Sequence, residues 1–120
     1  LRVLVVEDEA LVAMIAEEAL SSLGFEPQSA RNGAEALAQF ATFKPALAVV
    51  DIGLPDMRGD ELALRLRELA PDLPIVVASG YDEAELRARF AHDKRIAVVA
   101  KPYTEDDLAR ATRSLGFAYA

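Results

Sequence analysis

The chain has 120 residues, a formal net charge of −7, 52% hydrophobic and 28% charged residues, and no cysteine. One domain is the expectation at that length, with about two thirds of the unfolded surface buried, and the composition excludes a disordered chain, disulfides and thiolate metal sites. The acid excess disfavours direct nucleic-acid binding, the one histidine, His92, excludes a histidine-rich zinc site within the chain, and no apolar run reaches the ~18 residues of a membrane span.

The first apolar run, Val3-Leu4-Val5-Val6, predicts a buried strand over 2–6. Glu7 and Asp8 follow it. Two adjacent acids at a buried strand end repel one another unless a cation sits between them, and a hard cation such as Mg2+ takes oxygen ligands. The other reading is that they, with Glu9, answer the macrodipole of a helix over 10–22. In that helix Leu11, Val12, Ala13, Met14 and Ile15 are consecutive, more than the single stripe a helix buries against a sheet. Leu11 and Met14 are therefore expected at the surface, with packing under a neighbouring loop as the alternative. Gly24 sits where this helix should stop. The next strand, over 26–30, carries Pro27, which lacks a donor and suits a sheet edge. Asn32 stands three residues before Glu35, the spacing of a cap for a helix over 33–42.

Leu47-Ala48-Val49-Val50 predicts a strand over 46–51 that ends on Asp51. A carboxylate there can accept a phosphoryl group, or it is a solvated or capping acid. The loop from Gly53 to Gly59 contains Asp56 as a turn residue and leads into a helix over 60–69. Ile75-Val76-Val77-Ala78 predicts a strand over 74–79, with Ser79-Gly80 at its end. That hydroxyl and amide can hold a phosphoryl oxygen or form an ordinary turn. Asp82 has capping spacing to Glu85 for a helix over 83–92, in which Leu86 and Phe90 read as core. Ile96-Ala97-Val98-Val99 predicts a strand over 96–100, followed by Lys101-Pro102. A Lys at a buried strand end is costly unless it meets an anion, and the bond to Pro102 is open to the cis form. A surface Lys at a strand exit is the other reading. Thr104 and Asp107 have capping-box spacing for a helix over 104–115, with Leu108, Ala111, Thr112 and Leu115 on one stripe and Gly116 as the stop.

Strict alternation of strands and helices implies an α/β fold: a parallel sheet, right-handed crossovers and helices on both faces. Glu7, Asp8, Asp51, Ser79 and Lys101 then emerge at the carboxyl edge of the sheet, where such folds bind ligands. Acids plus one Lys there suit a divalent metal and a phosphoryl group. The chain begins at Leu1 rather than Met, as expected of a trimmed chain or a domain cut from a longer one. No signal peptide is visible, and a cytoplasmic location is the expectation.

Val-Val-Glu-Asp-Glu at 5–9, Val-Val-Asp-Ile-Gly-Leu-Pro-Asp-Met at 49–57, Gly59, Ala-Ser-Gly-Tyr at 78–81 and Lys-Pro-Tyr at 101–103 together resemble the receiver domains of bacterial two-component response regulators, over essentially the whole chain. The resemblance implies a doubly wound, flavodoxin-like (βα)5 fold with strand order 2-1-3-4-5, and one receiver domain over 1–120. It implies that Asp51 takes a phosphoryl group from a histidine kinase or histidine phosphotransfer protein, in a reaction that needs Mg2+ (or Mn2+). Asp8, Asp51 and the Gly53 carbonyl would hold the metal, and Glu7 would reach it through water. Ser79, the Gly80 amide and Lys101 would contact the phosphoryl group, with a cis bond before Pro102. The donor would dock near Leu11 and Met14, and the signal would pass to an effector protein or fused domain. A phosphorylation-dependent dimer through 83–115 is a further analogy.

Three positions depart from the family pattern. Val98 stands where an aromatic switch residue is common, and Tyr81 is the candidate to take over part of that role, as in a receiver subgroup without the last-strand aromatic. Gly53 leaves the phosphoryl face without a side chain. Glu7 replaces the commoner Asp. Two other functions compete: an Asp-nucleophile, Mg2+-dependent phosphatase, whose nucleophile belongs on the first strand with a second Asp two residues later, and a phosphorylation-independent interaction module.

Overall fold

The computed structural model describes residues 1–118. Five strands alternate with five helices: β1 (Arg2–Val6), α1 (Ala10–Ser22), β2 (Glu26–Ala30), α2 (Gly33–Phe43), β3 (Leu47–Asp51), α3 (Gly59–Leu69), β4 (Ile75–Ser79), α4 (Glu83–Arg89), β5 (Ile96–Ala100) and α5 (Glu105–Ser114). The strands form one parallel sheet in the order β2-β1-β3-β4-β5, the doubly wound, flavodoxin-like order expected. Val3 pairs with both Pro27 and Leu47, so β1 lies inside the sheet and β2 is an edge, the place where a proline's missing donor costs nothing. Among the described residues no helix is long and apolar enough to cross a membrane.

Apart from the edge strand β2, the strands are apolar on both sides because both faces are covered. Leu4, Val6, Ala48, Val50, Ile75 and Val77 point to one face and pack with Ala36, Leu62, Leu66, Leu86 and Phe90 from α2, α3 and the α4 region. The alternate residues Val3, Val5, Leu47, Val49, Val76 and Ala78 face the other way, onto Ala16 and Leu20 of α1 and Leu108 and Ala111 of α5. In α1 the buried positions are Ala13, Ala16 and Leu20, while Leu11, Met14 and Ile15 are exposed. Small alanines let the helix lie close on the sheet, and the larger side chains turn outward, as expected for Leu11 and Met14.

Helix ends follow the local chemistry. Asn32 Oδ1 accepts the Glu35 N–H at 2.8 Å, and Thr104 with Asp107 forms a reciprocal capping box. Gly24 (φ 96°) and Gly116 (φ 103°) close α1 and α5 in the left-handed region. Two expectations are corrected. The helix expected over 83–92 ends at Arg89, because Phe90 turns into the core and the Asp93 N–H bonds its carbonyl at 2.9 Å. Asp82 makes no side-chain cap on α4, since its carboxylate is engaged by Ser79 and Arg58 instead.

Candidate phosphoryl and metal site

β1, β3, β4 and β5 all deliver site residues to the same edge of the sheet. β1 ends at Val6 and leaves Glu7 buried, with its own N–H tied to the Ala30 carbonyl at 3.0 Å. Asp8 is exposed beside it. β3 carries Asp51 as its last residue, 7% exposed and in register with Ala78 of β4. Carboxylate oxygens of Glu7, Asp8 and Asp51 lie within 4.8 Å of one another. An all-oxygen donor set of this kind suits a hard divalent cation.

Lys101 follows β5 and reaches between these acids. Its Nζ donates to Asp51 Oδ1 at 2.9 Å and to Glu7 Oε1 at 3.1 Å. The Lys101 N–H bonds the Ser79 carbonyl at 2.8 Å, so the backbone as well as the side chain is fixed, and the Lys101–Pro102 bond is cis as expected. Burial pulls the Lys101 pKa down, but the hydrogen bonds to Asp51 and Glu7 more than offset it and the net shift is upward. Burial pushes the Glu7 carboxyl up, aided by the Asp51 charge and opposed by the Glu9 N–H and by Lys101. No local sequence signal marks a role for Tyr103. Its hydroxyl is pushed up to about 12 by burial, then by the Glu7 charge, so it stays protonated beside the acids.

The loops shape the entrance. A Cβ on Gly53 would lie 3.6 Å from Asp51 Oδ2, so its absence leaves the carboxylate face open. Gly53 bridges to Arg58 across the loop, and Asp56 does more than turn the chain. It accepts the Gly33 and Ala34 N–H groups at 2.9 and 3.0 Å, tying this loop to the start of α2. Those bonds hold the Asp56 carboxyl below its usual range. No local sequence signal marks that contact, because its partners lie 22 and 23 residues away.

Ser79 is 1% exposed at the end of β4, and Gly80 beside it is exposed. The Ser79 hydroxyl donates to Asp82 Oδ1 at 2.5 Å and accepts the Tyr81 and Asp82 N–H groups at 3.3 and 3.2 Å. Tyr81 stands fully in solvent, and Val98 is buried in the sheet core. The sequence reading missed Asp60, which is 2% exposed at the start of α3 and pairs with Arg58 and with Arg89 of α4. Arg58 also reaches Asp82 Oδ2 at 3.2 Å.

The family model described as "Response regulator receiver domain" matches residues 3–113. The Regulatory protein AtoC of Escherichia coli is 31% identical over 107 residues, which are 89% of this chain and 23% of that protein. The Response regulator MprA of Mycobacterium avium is 30% identical over 115 residues, 96% of this chain and 50% of that protein. The chain thus spans half or less of the length of these relatives. Among solved structures, a receiver domain protein of Clostridium thermocellum superposes with a TM-score of 0.85 at 19% identity, covering 95% of this chain and 93% of that one, a likeness of fold. A CheY-like receiver domain protein of Methanospirillum hungatei superposes with a TM-score of 0.81 at 29% identity, covering 93% and 90%.

Proposed function

This chain belongs to the response regulator receiver domain family, and on that premise we propose that Asp51 accepts a phosphoryl group from a phosphohistidine donor and that the adduct switches the protein's conformation. The observation that carries this reading is Lys101 Nζ held 2.9 Å from Asp51 Oδ1 at an edge that also holds Glu7 and Asp8. Phosphoryl transfer asks a protein mainly for positioning and charge neutralisation. An Asp51 oxygen attacks phosphorus, the P–N bond to the donor imidazole breaks, and its electron pair leaves with the ring. Lys101 stands where it can follow the negative charge from the carboxylate to the new phosphoryl oxygens. Asp8, Asp51 and the Gly53 carbonyl would hold Mg2+ or Mn2+, with Glu7 reaching it through water. The ion would supply the remaining neutralising charge. Ser79 and the Gly80 amide would bind phosphoryl oxygens.

The proposed donor is a histidine kinase or histidine phosphotransfer protein, docking on the exposed Leu11 and Met14, in the cytoplasm. We take residues 1–120 as one receiver domain whose output passes to an effector protein or fused domain. The 83–115 region is the proposed dimer or effector surface, supported by a groove of about 670 Å3 lined by Arg87, Lys94, Ile96 and Arg110.

Intact-mass spectrometry after incubation with acetyl phosphate tests the central step. One phosphoryl adduct on the wild type, dependent on Mg2+ and absent from Asp51→Asn, is the expected result. A folded, Mg2+-binding protein that takes no phosphoryl group from acetyl phosphate or a phosphohistidine donor would leave the interaction-module reading in its place.

A further inference from the structure

We infer that Asp82 is a positioning residue that withholds the Ser79 hydroxyl from the phosphoryl group of Asp51, so that Ser79 must be released from Asp82 before the switch can complete. This rests on the reading of Asp51 as phosphoacceptor.

A serine hydroxyl has one proton to donate and two lone pairs to accept with. In this structure all three are in use within residues 79–82: the proton goes to Asp82 Oδ1 at 2.5 Å, and the lone pairs receive the Tyr81 and Asp82 N–H groups. Nothing remains to bind a phosphoryl oxygen unless the Asp82 bond breaks. The acceptor is a charged one, because the Ser79 hydroxyl and then Arg58 hold the Asp82 carboxyl below its ordinary range. Hydrogen bonds to charged groups are about twice as strong as neutral ones, so the competition is a real one.

Asp82 is itself held in place. Arg58 Nη2 reaches its Oδ2 at 3.2 Å, Arg58 Nε reaches Asp60 Oδ1 at 3.2 Å, and the other Asp60 oxygen pairs with Arg89. Asp60 is buried, so this chain of alternating charges is anchored at its centre on α3 and ends on α4. Local propensity does not account for the placement of Asp82, which stands before α4 yet leaves the helix uncapped. A phosphoryl group on Asp51 offers Ser79 a more highly charged acceptor. When Ser79 turns to it, Asp82 loses the Ser79 hydroxyl and keeps only Arg58, and the Asp82–Arg58–Asp60–Arg89 chain is free to rearrange, carrying the event to α4.

The test is a double-mutant cycle on binding of beryllofluoride, a phosphoryl mimic, by the full chain in Mg2+, followed by titration calorimetry. Asp82→Ala should bind about fivefold tighter than wild type or better, since a competing charge-assisted hydrogen bond is gone. Asp82→Asn, which keeps the shape and loses the charge, should show a smaller gain of the same sign. In a Ser79→Ala background, Asp82→Ala should change nothing, whereas a merely structural role would act with or without the hydroxyl. Equal affinity of wild type and Asp82→Ala, or the same gain in both backgrounds, overturns the inference while leaving Asp51 as acceptor. A wild type that binds no beryllofluoride and takes no phosphoryl group overturns the phosphoacceptor reading, and this inference with it.

Discussion

Gly59 touches the backbone of Asp51: a Cβ at position 59 would lie 2.1 Å from the Asp51 carbonyl oxygen and 2.7 Å from the Ile52 Cα. The first turn of α3 therefore lies directly on the end of β3, and the Gly59 N–H bonds the Ile52 carbonyl at 2.9 Å. The neighbours are backbone atoms, which cannot swing aside as a side chain can. Gly59→Ala should cost about 1–3 kcal/mol, the range for overpacking a close contact. It should also lower the rate of phosphoryl uptake from acetyl phosphate, because relief requires moving the Asp51 backbone. Urea midpoints and adduct formation check the two halves, and an unshifted midpoint would refute the contact.

Lys101 sits between two acids that are nearly dry, Glu7 at 4% and Asp51 at 7% exposure. Removing the cation leaves them facing one another. Lys101→Met should lose about 2–3 kcal/mol without metal, below the usual loss for a fully buried pair because the Lys side chain keeps some solvent contact. Mg2+ should recover part of that loss. At a hundred times the dissociation constant a ligand of the folded state adds about 2.7 kcal/mol, and the gain should be larger in Lys101→Met than in wild type. Melting curves with and without Mg2+ would refute the scheme if the two proteins gained equally.

Asp56 links stability to acid pH. Its folded-state pKa lies below the ordinary 3.8, chiefly through the Gly33 and Ala34 N–H bonds. The stabilisation is therefore fully present above pH 3.8 and is lost as pH falls through the lower folded value. Asp56→Asn should be less stable than wild type at neutral pH, and the difference should shrink below that ordinary value. A difference independent of pH from 7 down to about 2 would show that the charge on Asp56 does not matter.

The α1 patch predicts a split between donors. Leu11 is 68% and Met14 55% exposed, so Leu11→Ser with Met14→Ser should move stability by no more than about 0.5 kcal/mol each, as surface changes do. Transfer from a phosphohistidine donor should slow about tenfold, the loss expected when an interface anchor is cut back. Labelling by acetyl phosphate should be unchanged. Equal slowing with both donors would move the effect from docking to the site itself.

Sequence alone determined the strand and helix count, the parallel sheet and the delivery of Glu7, Asp8, Asp51, Ser79 and Lys101 to one edge. These follow from periodicity and from groups placed directly after buried strands, signals carried by neighbouring residues. The capping box at Thr104 and Asp107 and the stop at Gly116 were legible for the same reason. Only the tertiary structure decided that Asp82 would leave its helix end for Ser79 and Arg58, that Asp60 would be buried between two arginines, and that Asp56 would bind the start of α2. An acid near a helix start has several partners of similar worth within reach. Which one it takes depends on where the crossovers bring Arg58, Arg89 and the Gly33 amide, and that is set by how the helices pack on the sheet.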